Sequence, residues 1–333
     1  MGRARKEAVR CLTVIVVMVA LTAMTAGMAG AAKVKFLSLG TGNPSGTFYF
    51  LGAGFADLWN KNIPGIKVVA ESTAASNENL FLVARGKLDV AISVSSAMAQ
   101  QVEDKKWDLS QARILCSSTH GSHYHYVVRK ESDIKTHLDF KGRKMAIGAP
   151  GSGTLVSSQA MIRGWGWDPE KDIDPKYLNF TEMINALRDK TIDVAVVAAA
   201  APVAALLDLA ITVPIRLIPI TTETFVKPNT ITDLYTNMVI PGGTYKGIDE
   251  DVKTQASPTF LIVNKAVDNG LAYKLLEVLY GMEKERNRIH PAARGYNLGD
   301  AFAGVIGKTD KFVPFHDGAV QYYKDKGVWN KMH

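Results

Sequence analysis

Met145-Ala146-Ile147-Gly148-Ala149-Pro150-Gly151-Ser152-Gly153-Thr154 decides the fold. A short apolar run breaks into a glycine-rich turn, and helix-period sequence follows to about Gly164, the order expected of a parallel strand feeding a crossover helix. The same phrase stands earlier in the chain. Lys33 to Leu39 reads as a strand, Gly40 to Gly46 as the glycine turn, and Thr47 to about Asn60 as the helix. Working outward, each unit continues alike. Lys67–Glu71 and Lys176–Asn179 read as second strands, Ser76–Gly86 and Thr181–Lys190 as helices, and Asp89–Ser95 and Asp193–Ala198 as third strands. Gly86-Lys87-Leu88-Asp89-Val90-Ala91 is echoed by Lys190-Thr191-Ile192-Asp193-Val194-Ala195 at nearly the offset that separates the two turns. Two similar α/β lobes with parallel sheets follow.

The β-rich run His123 to Val128 closes the first unit, so lobe 1 is expected at 33–127 and lobe 2 at 128–250. Ser257 to Asn264 reads as a second crossing strand. Residues 251–333, with helices Gly270–Ile289 and Phe315–Gly327, then return to the first lobe. Residues 1–32 combine a basic stretch to Arg10, an apolar stretch Cys11–Met24 and small residues up to Ala32. That is the pattern of a cleaved signal peptide, its apolar core short of the ~20 residues a bilayer span needs. A periplasmic location is expected, with Cys116 the one cysteine left and a buried filler.

Composition and spacing narrow the chemistry. The formal charge of +7, from 39 Lys and Arg against 32 Asp and Glu among 333 residues, arises partly in the first ten residues and includes no long basic run. Nucleic acid is therefore not expected as a partner. Gly40-Thr41-Gly42 with Gly46 misses the dinucleotide spacing by one residue, and neither turn supplies the lysine of a phosphate loop. No nucleophile with a matching base is legible, Ser152 lacks the nucleophile-elbow pattern, and His120, His123 and His125 have no further ligand nearby. No enzyme activity, metal or cofactor is expected. What the turns do offer is two helix N-termini at the carboxyl ends of strands, where free N–H groups and the helix dipole favour an anion. Ser45, Thr47, Ser152 and Thr154 add hydroxyls beside them.

Several motifs together resemble the TAXI-type extracytoplasmic solute receptors of TRAP transporters, over essentially the whole mature length. They are Gly40-Thr41-Gly42 with Gly46-Thr47-Phe48-Tyr49, Glu71-Ser72-Thr73 with Ser76-Asn77-Glu78-Asn79, Gly148 to Thr154, Ile192 to Ala195 followed by Pro202, and Pro314-Phe315-His316-Asp317-Gly318-Ala319 with Tyr322-Tyr323. The resemblance implies a two-lobe fold of the type II periplasmic-binding-protein kind. Such a receptor closes on a small carboxylate, glutamate or a dicarboxylate, and delivers it to TRAP membrane permease subunits. It also implies ligand-binding roles for Gly46, Thr47, Tyr49, Ser76, Asn77, Ser95, Ser152, Gly153 and Thr154. Ala200 lies in an alanine run, Ala198 to Ala201, where the family often carries glycine, and its extra methyl would narrow the pocket. An exported sensor module and an exported hydrolase are the other classes in view.

Overall fold

The computed structural model describes residues 34–104, 107–302 and 308–329; the leader read at 1–32 lies outside them. The first unit runs β1 (Lys35–Gly40), α1 (Thr47–Asn62), β2 (Ile66–Glu71), α2 (Ser76–Ala84), β3 (Val90–Val94) and α3 (Ser95–Asp104), and leads into a long strand β4 (Ala112–Arg129). The second runs β5 (Lys144–Ala146), α4 (Gly153–Gly164), β6 (Asp174–Lys176), α5 (Phe180–Arg188), β7 (Val194–Ala199), α6 (Ala204–Thr212) and β8 (Ile215–Leu217). Then come β9 (Thr236–Ile240), β10 (Val252–Asn264) and three helices, α7 (Asn269–Gly281), α8 (Glu283–Ile289) and α9 (Asp317–Asp325). Two expectations change. The helix read at 270–289 breaks into α7 and α8 at Met282, just after Gly281, a poor helix former. β6 ends at Lys176, so Leu178 and Asn179, read as strand, form the turn before α5.

The strand order is β2-β1-β3-β10-β4-β7-β5-β6, with β8 on β4 and β9 on β10. β1 and β3 are parallel, as are β5 and β6, and β5 and β7. The parallel expectation thus describes each unit. The strands linking them, β4 and β10, run antiparallel to each other and to β3 and β7. The paired aspartates of the sequence echo explain themselves here. The Asp89 carboxylate accepts the Ser38 N–H at 2.8 Å, and that of Asp193 accepts the Lys144 N–H at 3.0 Å. Each fastens the third strand of its unit to the first.

β4 changes neighbours along its length. From Ala112 to His123 it lies on β10, and from His123 to Val127 its other edge pairs with β7. The register slips between Ser257 and Thr259, across Pro258, which cannot donate to a ladder. A Cβ on Gly121 would stand 2.3 Å from the Ser257 carbonyl oxygen, so glycine is what lets the two strands approach there.

One core joins α1 and β1–β3 to the chain's end, with Phe55, Trp59, Phe260, Leu275, Tyr296 and Tyr323 buried together. Two further clusters, around Tyr126, Trp165 and Val194 and around Val197, Leu206 and Tyr245, cover the faces of the second unit's sheet. Cys116 is fully buried, and desolvation pushes its thiol up to about 12, which keeps it protonated. Among the described residues no helix is long and apolar enough to cross a membrane.

Candidate functional site

The carboxyl ends of β1, β2, β3, β5, β6 and β7 meet at one cavity of about 230 Å³. The turns after β1, β2, β5 and β6 and the ends of β3 and β7 form its wall, and Ser122 and Tyr124 of β4 complete it. Four helices, α1, α2, α4 and α5, begin there. A helix start carries N–H groups with no partner inside the helix, and a partial positive charge. The α5 end carries a capping box: Asn179 accepts from the Glu182 N–H at 3.1 Å while Glu182 accepts from the Asn179 N–H at 2.7 Å. The other three ends carry no such box. Gly46 before α1 and Ala75 before α2 give no side-chain cap, and at α4 Ser152 satisfies only the Leu155 N–H, at 3.1 Å.

The loop before α2 is held in an unusual shape. Ala75 has φ 80°, a region that L residues rarely adopt. Its N–H donates to Thr73 Oγ1, the Ala74 N–H donates to Glu78, and Thr73 Oγ1 donates in turn to Asn79 Oδ1. Asn79, fully buried, donates its two amide hydrogens to the carbonyls of Thr41 and Ile92. All its capacity goes into placing the turns.

Contacts across the cavity hold the halves together. Thr47 Oγ1 donates to the Ala200 carbonyl at 2.7 Å, the Glu78 N–H to Gly151 O at 3.1 Å, and the Ala205 N–H to Ser45 O at 3.3 Å. Ser96 and Ser157 share a bond of 2.9 Å, and His290 Nε2 donates to Pro202 O at 3.0 Å. A Cβ on Gly153 would lie 2.7 Å from Ser76 Oγ and 2.9 Å from a Val94 methyl. This is a closed cleft.

Of the residues singled out in the sequence, Gly46, Thr47, Ser76, Ser152, Gly153 and Thr154 stand in this one wall. Tyr49, Asn77, Ser95 and Ala200 do not. Asn77 turns to Gln100, with Nδ2 3.3 Å from Oε1; Ser95 bonds Ser257 at 2.9 Å; Tyr49 packs edge-on to Phe50; Ala200 takes part through its carbonyl alone. Ser122, Tyr124, Ser157, Leu178 and Phe180 line the wall without having been singled out. The rule that ligands sit at strand carboxyl ends would have flagged Leu178 and Phe180, had β6 been ended at Lys176.

The histidines are occupied elsewhere. His125 Nδ1 donates to Val197 O at 3.0 Å, and Nε2 accepts from the Tyr245 hydroxyl at 2.9 Å. Burial, with His123 adding to it, lowers the His125 pKa to about 3. His120's side chain lies outside the described residues, among which no group of three or more His, Cys, Asp or Glu could hold a metal ion. With both His125 nitrogens spent on protein partners, dialysis against a chelator is expected to leave the melting temperature unchanged. A fall that zinc or calcium reverses would show metal linked to folding.

A family model described as the NMT1-like family matches residues 39–327. Three solved structures have similar folds. One is the binding protein component of an ABC phosphonate transporter from Pseudomonas aeruginosa, at 12% identity and TM-score 0.54 over 90% of this chain and 97% of that one. Another is PhnD1 from Prochlorococcus marinus in complex with methylphosphonate, at 11% identity and TM-score 0.52 over 89% and 98%. The third is the alkanesulfonate-binding protein SsuA from Xanthomonas axonopodis pv. citri bound to MOPS, at 13% identity and TM-score 0.50 over 90% and 96%. At these identities the likeness concerns the fold, which is that of the two-lobe periplasmic binding proteins.

Proposed function

The chain belongs to the NMT1-like family, and on that premise we propose that it is an exported receptor, without enzyme activity, that closes on a small organic anion and presents it to a membrane transporter. The observation that carries this reading is the convergence of three incompletely capped helix N-termini, those of α1, α2 and α4, on one enclosed cavity. Their N–H groups and dipoles suit a carboxylate, sulfonate or phosphonate. The names of the similar structures, phosphonate and alkanesulfonate binders, support an anion in general. The motif resemblance to TAXI receptors supports a carboxylate such as glutamate or a dicarboxylate, with TRAP permease subunits as the partners.

In this reading Thr47, Gly153 and Thr154 offer backbone N–H groups, Gly46, whose N–H donates to Asn43 O at 2.9 Å, shapes the turn, and the hydroxyls of Ser76 and Thr154 are donors left over. Those of Thr47 and Ser152 are already donated to the carbonyls of Ala200 and Ala149. Tyr49, Asn77, Ser95 and Ala200 act behind the wall, in setting its shape. The lobes are the halves 33–127 with 251–333, and 128–250, and they hinge where β4 and β10 change neighbours.

Calorimetric titration of paired acids and methyl esters tests the proposal. The acid is expected to bind and the ester to bind far more weakly. Thr154→Ala should remove a hydrogen bond to a charged group, worth about 1–3 kcal/mol, and weaken binding roughly 5- to 150-fold. Equal affinity for acid and ester would sink the anion reading.

A further inference from the structure

The polar groups of the cavity wall are mostly spent on one another. Tyr124 donates to Ser157 Oγ at 2.8 Å, Ser157 is also bonded to Ser96, Thr47 is bonded to Ala200, and Ser152 donates to Ala149 O at 2.7 Å while capping α4. Besides the hydroxyls of Ser76 and Thr154, that of Ser122 is unspent, and among the described wall residues it is the one that is fully buried without a partner. The residue is 2% exposed, and its hydroxyl has no hydrogen-bond partner among the described residues. It stands on β4 beside Gly121, at the point where the two linking strands cross. Natural folds rarely leave a buried hydroxyl unpaired, and one in a ligand cavity is satisfied by the ligand or by a water that the ligand retains.

A hydroxyl both donates and accepts, so by itself it would take an amine as readily as an alcohol or a carbonyl. Electrostatics separates these. Three helix N-termini place positive potential in the cavity, and the described side chains of the wall are serines, threonines, asparagines, tyrosine and apolar residues, with no carboxylate to neutralise an ammonium. A buried ammonium there would be repelled and unpaired. A neutral group suffers neither penalty.

Resting on the anion reading above, we propose that the ligand's second polar group is neutral and meets Ser122, so that the receptor selects a hydroxy acid or oxo acid over the amino acid of the same skeleton. Ser122 thereby acts as a specificity-determining residue. Because it sits on a strand shared by both halves, a ligand that engages it also reports to the crossing point.

The test uses the mature protein and two matched series: 2-hydroxyglutarate, glutamate and glutarate, and 2-hydroxy-4-methylpentanoate, leucine and 4-methylpentanoate. In whichever series binds, the hydroxy acid is expected to bind at least about tenfold more tightly than the amino acid. In Ser122→Ala its affinity should fall to that of the unsubstituted acid, with the unsubstituted acid unchanged. Ser122→Cys keeps a side chain of similar shape and is expected to behave the same way, should alanine loosen the crossing. An amino acid that binds as well as its hydroxy acid, or a preference that survives both substitutions, overturns the inference and leaves the receptor reading intact. If none of the six binds, the carboxylate premise fails and takes this inference with it.

Discussion

Gly153→Val should weaken ligand binding by roughly 5- to 150-fold while leaving the protein folded and nearly as stable. The residue opens α4, and a Cβ there would press on Ser76 and Val94 across the cleft. Overpacking of that kind costs about 1–3 kcal/mol, and it falls on the closed arrangement alone, because separated halves leave the space free. The loss therefore comes off the binding free energy. Small-angle scattering supplies the second readout. The unaltered protein should contract on saturation with ligand as the halves close, and the valine variant should stay expanded at the same concentration. A variant that contracts normally and binds with unchanged affinity would show that the approach of α4 to α2 is not needed for closure.

Acid is expected to remove about 5 kcal/mol of stability through His125 alone. Its ordinary pKa is 6.5 and burial lowers it to about 3 in the folded protein. The folded state thus binds the proton more weakly than the unfolded one. The stabilising difference is fully present above about pH 6.5 and is lost progressively as pH falls toward 3. On a total of ~5–15 kcal/mol for a typical domain, that loss is enough to carry the protein close to unfolding. Denaturant titrations at several pH values between 7 and 4 would measure it, with His125→Gln as the control. That variant should be less stable at pH 7, since glutamine does not reproduce both the bond to Val197 and the one from Tyr245, but its stability should decline more shallowly by about one proton. Parallel pH profiles would sink the assignment. His137, His290 and His316, whose pKa values burial also lowers, contribute the same sign in both proteins and cancel in the comparison.

The α/β order was legible because its signals are local. Apolar runs, glycine turns and the Asp89 and Asp193 echoes lie within a few residues of the strands they define, and the two carboxylates fasten equivalent strand pairs. The cavity wall was legible where it is made of helix starts, at Thr47, Ser76 and Gly153. It was misread one or two positions further on. Successive helix residues point about 100° apart, so Asn77 beside Ser76 faces Gln100, and Tyr49 beyond Thr47 faces away from the wall. Ser122 and Tyr124 carried no signal at all. Their place depends on β4 lying between β10 and β7, pairings that join His123 to Ala256 and to Ala199, far apart in the chain.

The position of β10 between β3 and β4 sets an order on the assembly of the chain. During synthesis β3 and β4 emerge early and next to each other, yet neither pairs with the other. Each keeps an open edge until residues 252–264 arrive to fill the gap, and the first core stays incomplete until Leu275 and Tyr323 join it. A nascent chain short of its last third therefore leaves the first unit with two open strand edges, which stick easily, while the strands β4 to β7 of the second unit can already pair. The first unit, although it is made first, is thus the last to close, after the second unit's clusters have all their buried residues.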